Sequence, residues 1–133
     1  MIARARPGLR RATVYDPGSG ALVEASERTN SEVTFSLLYA DLPLLFLQAR
    51  IAEATRTTTD CFETTKVLRY AVGEVFKAHC GFLDGGDGAM SRTLAAEGQR
   101  ALTVLVYLSD EYEGGRRHFR WLVSNSKHAL AMH

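Results

Sequence analysis

The sequence predicts an α+β fold that is mainly β, with one long and one short supporting helix. Residues 101–108 are the most continuous apolar, β-branched run in the chain and predict a central strand. Residues 64–70 alternate polar and apolar side chains, and residues 74–82 follow as a further strand after Gly73. An apolar pattern of helical spacing begins after Asp41. Together these patterns predict a β-rich core supported by one or two helices.

The first thirty residues predict an arm with a hairpin. Residues 12–15 and 21–24 are short strand candidates, and the Asp16-Pro-Gly-Ser-Gly20 turn signal separates them. Residues 26–32 are polar and predict a loop, whereas residues 33–38 predict another strand. We therefore divide the chain into an N-terminal arm, residues 1–32, and a core domain, residues 33–133.

The long helix is predicted over about residues 41–55. Asp41 suits the N-cap, and Pro43 falls in the first turn, where its missing N–H costs nothing. Apolar side chains recur at intervals of three and four and predict a face that packs on a sheet: Leu42, Leu45, Phe46, Ala49 and Ala52. A short helix is predicted over residues 91–97, with Ser91 at its cap.

Composition excludes several classes of protein. Of 133 residues, 16 are Lys or Arg and 15 are Asp or Glu, and this near-balance argues against a nucleic-acid partner bound through bulk positive charge. The longest apolar stretch, residues 42–47, is far shorter than the roughly 20 residues that cross a bilayer, so we expect no membrane partner. No secretory signal pattern follows the basic N-terminus, and two cysteines are too few for a disulfide scaffold. We expect a cytoplasmic compartment.

His79 is the first candidate for chemistry. It lies late in the predicted strand over residues 74–82, flanked by Phe76 and Phe82. A histidine there serves either as a hydrogen-bonded core residue or as a metal ligand, and the residues alone leave both open. Cys80 adjoins it but would point to the opposite face of a strand, so the two side chains would not chelate one metal together.

A series of short motifs gives His79 a context. In chain order they are Lys66-Val-Leu-Arg-Tyr70, Gly73, Phe76-Lys-Ala-His79, Phe82-Leu-Asp84, Gly98-Gln-Arg100, Thr103, Tyr107-Leu108, Asp110 and Glu113-Gly-Gly115. Two further segments, Ala12-Thr-Val-Tyr-Asp-Pro17 and Asp41-Leu-Pro43, precede this series. Together they resemble the prolyl 4-hydroxylase-like branch of the Fe(II)- and 2-oxoglutarate-dependent dioxygenases, in its bacterial form. The resemblance extends to about Trp121 and implies a double-stranded β-helix, or jelly-roll, with core strands from about residue 63. We expect it to be partial, because the family's final strands have no matching positions.

The resemblance implies roles for particular residues. Iron in this family is held by two histidines and one carboxylate. His79 matches the first histidine, and Gly81 stands where the family has the ligand aspartate. Tyr70 and Thr103 match hydrogen-bonding partners of 2-oxoglutarate; the alternative is that each is a strand residue whose hydroxyl is satisfied locally. The implied cofactors are Fe(II), 2-oxoglutarate and ascorbate.

The second metal histidine has no matching position. His118, His128 and His133 are available, but none lies in a motif that would carry the role. In related halogenases a glycine replaces the aspartate and admits a halide. Since the second histidine is also unmatched, loss of tight iron binding is the simpler expectation.

Three functional hypotheses follow. The first is a dioxygenase that hydroxylates a prolyl or related carbon of a peptide or small-molecule substrate. The second is a catalytically inactive remnant or pseudoenzyme that acts as a binding module. The third is completion of the site by a second copy, since an exposed sheet edge favours a homodimer.

Overall fold

The computed structural model describes residues 1–16, 19, 21–36, 40–79, 81–83 and 89–110. This part of the chain has an α+β architecture. Its helices are α1 (Ile2–Ala5), α2 (Leu42–Thr55) and α3 (Ala89–Glu97), and its strands are β1 (Arg10–Arg11), β2 (Val14–Tyr15), β3 (Leu22–Val23), β4 (Ser31–Phe35) and β5 (Thr65–Arg69). Short 3₁₀ helices occur at Arg6–Gly8 and Thr59–Cys61.

Two antiparallel sheets organise these strands. The larger has the order β1-β4-β5, with Val33 opposite Val67. Strand β1 of the arm pairs with β4, so this sheet joins residues on both sides of position 32. The smaller sheet is the hairpin of β2 and β3 that the sequence predicts. The two sheets have three and two strands, and the jelly-roll core stays a prediction.

Helix α2 is confirmed with the cap that the sequence predicts. The Asp41 carboxylate accepts a hydrogen bond from the Leu44 backbone N–H at 3.1 Å, which satisfies one of the unpaired donors of the first turn. Arg56 ends the helix in the left-handed conformation at φ 55°. None of the helices in the described ranges is long and apolar enough to span a bilayer.

The buried face of α2 is not the predicted one. Leu44 and Gln48 are buried, whereas Leu42, Leu45 and Phe46 of the predicted stripe are exposed. The Gln48 side-chain amide donates a hydrogen bond to the Thr65 hydroxyl of β5 at 3.2 Å. The prediction is wrong because spacing identifies an apolar stripe but not whether a neighbour covers it.

Two predicted strands are also wrong within the described residues. Of the strand predicted over residues 74–82, only Phe76 makes a ladder contact, an isolated bridge to Arg28. Residues 101–108 form no strand, and their large apolar side chains from 102 to 108 are 36 to 60% exposed. A central strand pairs with a neighbouring strand on both sides, and none of the described strand pairings includes residues 101–108.

The short helix begins two residues earlier than predicted. Helix α3 starts at Ala89, so Ser91 lies inside it rather than at its cap. Gly98 ends the helix with φ +82°, a left-handed conformation that glycine adopts without the cost other residues incur. The predictions for residues 84–88 and 111–133, including all three later histidines, lie outside the described residues.

Candidate functional site

Backbone pairing with the arm holds the segment that carries His79. The Thr29 backbone N–H donates to the Val75 carbonyl at 2.8 Å, and the Val75 N–H donates to the Thr29 hydroxyl at 2.7 Å. The Lys77 N–H donates to the Glu27 carbonyl at 2.8 Å. These bonds position the residues just before His79 against residues that the sequence predicts as a loop.

A tight turn connects β5 to this segment. The Glu74 backbone N–H donates to the Ala71 carbonyl at 3.0 Å, and the Glu74 carboxylate accepts from the Ala71 N–H at 2.7 Å. Gly73 adopts φ +82° within the turn, where a side chain would be strained. The chain therefore breaks at Gly73 as predicted, and Tyr70 and His79 lie on either side of the turn.

One hydrogen bond fixes the tautomer of His79. Its Nδ1 lies 2.8 Å from the backbone carbonyl oxygen of Lys77. A carbonyl oxygen only accepts, so Nδ1 of the neutral ring carries the proton and Nε2 keeps its lone pair. Metal-bound histidines in proteins commonly donate their second ring N–H to a backbone carbonyl in this way. The ring is exposed and lies outside any regular strand.

An aromatic stack accompanies this hydrogen bond. The rings of His79 and Phe76 are nearly parallel at 12°, with centroids 3.6 Å apart. The guanidinium carbon of Arg28 lies 4.7 Å from the Phe76 ring centroid. The imidazole is therefore restrained by its packing as well as by the Lys77 carbonyl.

Gly81 and Thr103 come together in space. A Cβ built on Gly81 would lie 3.9 Å from the Thr103 hydroxyl oxygen, which is ordinary van der Waals contact. Gly81 does not have a left-handed φ, so its backbone accommodates a side chain. The position at which the resemblance implies a carboxylate thus adjoins Thr103, to which the resemblance assigns 2-oxoglutarate binding.

The side-chain amide of Gln99 joins the chain after α3 to the segment that contains Gly81. Gln99 accepts from the Leu83 backbone N–H at 2.7 Å and donates to the Leu83 carbonyl at 2.9 Å. Arg100 forms a two-point ion pair with Glu63, in which one of the two bonds measures 2.9 Å. These contacts bring the chain after α3 beside Gly81 without a strand ladder.

Tyr70 lies before the Gly73 turn, whereas the other candidate residues follow it. It follows β5 and is 42% exposed. Two open surface cavities, of about 590 and 480 Å³, lie elsewhere: one is lined by Arg6, Leu9, Ser31 and Arg69, the other by residues 107–110. Neither is lined by Tyr70, His79 or Thr103, so the candidate residues lie on an open surface and not around either cavity.

The described residues fit an iron site only in part. His79 fits because its Nε2 lone pair is available. Gly81 does not fit because it has no donor atom. Among the described residues no group of three or more His, Cys, Asp or Glu side chains is arranged to hold a metal ion.

Sequence reasoning missed Arg28, Thr29 and Gln99. Arg28 is only 9% exposed and lies in a stretch that reads as a polar loop. An arginine in a polar stretch normally indicates a solvated side chain, so no local signal identifies its burial. Gln99 lies within the Gly98-Gln-Arg100 motif, and this motif is the sequence signal that could have identified it.

Known relatives are similar over most of this chain. Prolyl 4-hydroxylase 1 of Arabidopsis thaliana is 32% identical over 120 residues, covering 90% of this chain and 41% of the relative. Prolyl 4-hydroxylase subunit alpha-1 of Rattus norvegicus is 33% identical over 115 residues, covering 86% of this chain and 21% of the relative. Subunit alpha-2 of Gallus gallus is 34% identical over 116 residues, with the same coverage of 86% and 21%. No protein-family model matches the chain.

The homologues of this chain are therefore prolyl 4-hydroxylases, and they support a prolyl 4-hydroxylase-like family. The chain spans about two fifths of the length of the plant relative and about one fifth of the two animal subunits.

Proposed function

We propose that the chain is an Fe(II)- and 2-oxoglutarate-dependent dioxygenase of the prolyl 4-hydroxylase-like family, which hydroxylates a prolyl or related carbon of a peptide or small-molecule substrate. The net reaction would convert a C–H bond, O₂ and 2-oxoglutarate into a C–OH group, succinate and CO₂, with ascorbate as the reductant that maintains ferrous iron. The observation that carries the proposal is the His79 ring, because its Nδ1–H bond to Lys77 leaves Nε2 free to bind a metal. Similarity to named prolyl 4-hydroxylases over 90% of the chain supports it.

The candidate residues would bind iron and 2-oxoglutarate. His79 would hold iron through Nε2. Thr103 and Tyr70 would donate hydroxyl hydrogen bonds to 2-oxoglutarate, and the placement of Thr103 beside Gly81 supports its part. Iron, when bound, would supply the oxygen-activating chemistry. The compartment we propose is the cytoplasm, in keeping with the free thiol of Cys61.

Turnover of 2-oxoglutarate tests the proposal. Purified protein is incubated with Fe(II), ascorbate and labelled 2-oxoglutarate, and succinate is measured. We expect succinate from the natural chain and none from His79→Ala. Arg50→Ala is the matched control, since Arg50 is an exposed residue of α2 that pairs with Glu53. A natural-chain rate equal to that without protein would refute the activity.

A second function is favoured by Gly81. Without a donor atom at this position the chain keeps one recognised ligand of three, and a catalytically inactive remnant that acts as a binding module is the simpler alternative. Anaerobic calorimetry with Fe(II) separates the two. Micromolar iron binding would contradict the inactive module, and no heat of binding would support it.

A homodimer is the partner arrangement we propose for either function. The exposed apolar residues of 102–108 support it, because apolar segments without a covering surface favour association. Light scattering over a range of concentrations tests it. A monomer at every concentration would exclude the dimer.

A further inference from the structure

We propose that the surface cavity lined by Arg6, Leu9, Ser31 and Arg69 binds an oxyanion, the phosphate or carboxylate group of a small molecule. Its volume of about 590 Å³ suits a ligand of small-molecule size. Two of the four lining residues carry a guanidinium group, and none of the four carries a carboxylate. The residues that the resemblance assigns to iron or 2-oxoglutarate do not line it, so this binding would be a property beyond the proposed dioxygenase activity.

Strand pairing in the larger sheet places Ser31 and Arg69 on one face. Ser31 of β4 lies directly opposite Arg69 of β5. Residues that are directly opposite in antiparallel strands project to the same side of the sheet. Glu32 follows Ser31 and projects to the other side, where its carboxylate pairs with Arg28. The carboxylate nearest to Ser31 in sequence is therefore engaged on the opposite face.

The 3₁₀ turn that carries Arg6 lies close to the same face. A Cβ built on Gly8 would lie 2.8 Å from the Cγ2 atom of Val33, which is closer than such carbons approach. Val33 is two residues after Ser31 and shares its side of the sheet, and its branched side chain has little rotational freedom. A side chain at Gly8 would therefore displace the turn from β4. The Leu9 backbone N–H donates to the Arg6 carbonyl at 3.5 Å and closes the turn beside the cavity.

The donors of the cavity match an oxyanion. Neither Arg6 nor Arg69 forms an ion pair or side-chain hydrogen bond with another residue of the described ranges, whose ion pairs use other arginines. Each guanidinium keeps its charge at any ordinary pH and presents a planar fork of N–H donors that fits two oxygens of a carboxylate or phosphate. The half-buried Ser31 adds a hydroxyl donor between them in the sheet. Arg10 adds positive charge, since its Nη1 donates to the Leu9 carbonyl at 2.8 Å.

An NMR titration at constant ionic strength tests the site without a metal. The natural chain is titrated with inorganic phosphate, with malonate and, as the reference, with sodium chloride, and the amide signals of Ser31 and Arg69 are followed. We expect saturable shifts with phosphate or malonate but not with chloride. The oxyanion that binds more tightly identifies the ligand group as a phosphate or a carboxylate. Shifts with both oxyanions that equal those with chloride would overturn the proposal.

Substitution of the two arginines localises the binding. Arg6→Gln and Arg69→Gln should each weaken the affinity for the bound oxyanion roughly tenfold, because each removes a charge-assisted hydrogen bond and keeps a polar side chain. Arg92→Gln is the matched control: it removes the same charge from an exposed arginine of α3 that does not line the cavity, and should change the affinity by less than about twofold. Arg69→Lys keeps the charge without the planar fork and should give an intermediate affinity. Equal losses in all three glutamine variants, or no loss in Arg6→Gln and Arg69→Gln, would overturn the site.

Discussion

The Thr103 hydroxyl oxygen lies 3.9 Å from the point where a β-carbon on Gly81 would stand. The two residues are 22 positions apart and share no strand ladder in the described structure. A side chain introduced at Gly81 would therefore extend next to a hydroxyl group that the family resemblance assigns to cosubstrate binding. This proximity makes Gly81 the position at which the effect of an introduced carboxylate can be tested.

Substitution of Gly81 by aspartate should increase metal affinity. The backbone at Gly81 tolerates a side chain, and a carboxylate two residues from His79 would add a second donor. We expect Co(II) or anaerobic Fe(II) to bind Gly81→Asp at least roughly tenfold more tightly than the natural chain, measured by calorimetry. Gly81→Ala adds the β-carbon without a donor and is the matched control. Equal affinities for the aspartate and alanine variants would contradict a metal site here.

Loss of the Arg28 side chain should destabilise the fold. The Glu32 side chain is 12% exposed, and Arg28→Ala would leave its carboxylate with Lys66, at 3.6 Å, as its remaining cationic partner among the described residues. Breaking a largely buried ion pair costs about 3 kcal/mol in the free energy of unfolding, measured by urea denaturation. Arg50→Ala removes an exposed pair, with side chains 78% and 70% exposed, and should cost less than about 0.5 kcal/mol. Similar losses in the two variants would show that burial of the Arg28 pair is unimportant.

The N-cap of α2 should be replaceable by a residue with the same acceptor. Asp41→Ala removes the acceptor for the Leu44 N–H and should lower the free energy of unfolding by about 1 kcal/mol. Asp41→Asn keeps a side-chain oxygen for that bond but removes the charge that pairs with Arg4. Denaturation of all three chains separates the cap from the ion pair. A large loss in Asp41→Asn would assign the effect to Arg4 instead.

Gln99 should control the order of the segment around Leu83. Gln99→Ala removes both bonds to the Leu83 backbone, each contributing about 1 kcal/mol. Hydrogen exchange at the Leu83 amide should therefore become faster, whereas exchange in β4 should not change. Gln99→Glu retains the acceptor and should give an intermediate rate. An unaltered Leu83 rate in Gln99→Ala would mean that this amide does not hold the segment.

The exposed segment 102–108 should drive self-association. Val106→Lys places a charge among its apolar side chains and should reduce the concentration-dependent mass measured by light scattering. Val72→Lys is the control, because Val72 is fully exposed in the turn that follows β5 and is not part of residues 102–108. An equal reduction in both variants would indicate a general effect of charge.

Short sequence patterns predicted correctly those structural elements whose hydrogen bonds join residues close in sequence. The Asp41 cap, the pairing of β2 with β3 and the break at Gly73 each depend on bonds between residues that are close in sequence, so the sequence contains all that they need. The strand over residues 101–108 was wrong because strand formation requires a distant partner. The buried face of α2 was wrong for a related reason: the contact of Gln48 with Thr65 spans 17 positions.

By itself the sequence determined the helix α2, the hairpin and the candidate residues His79, Gly81 and Thr103, because these follow from local bonding and from motif order. Only the tertiary structure decided that Arg28 is buried, that Phe76 packs between it and His79 in a chain of contacts, and that Thr103 adjoins Gly81. Such contacts depend on which residues from distant parts of the sequence pack together and exclude water. The order of residues along the chain does not specify this packing.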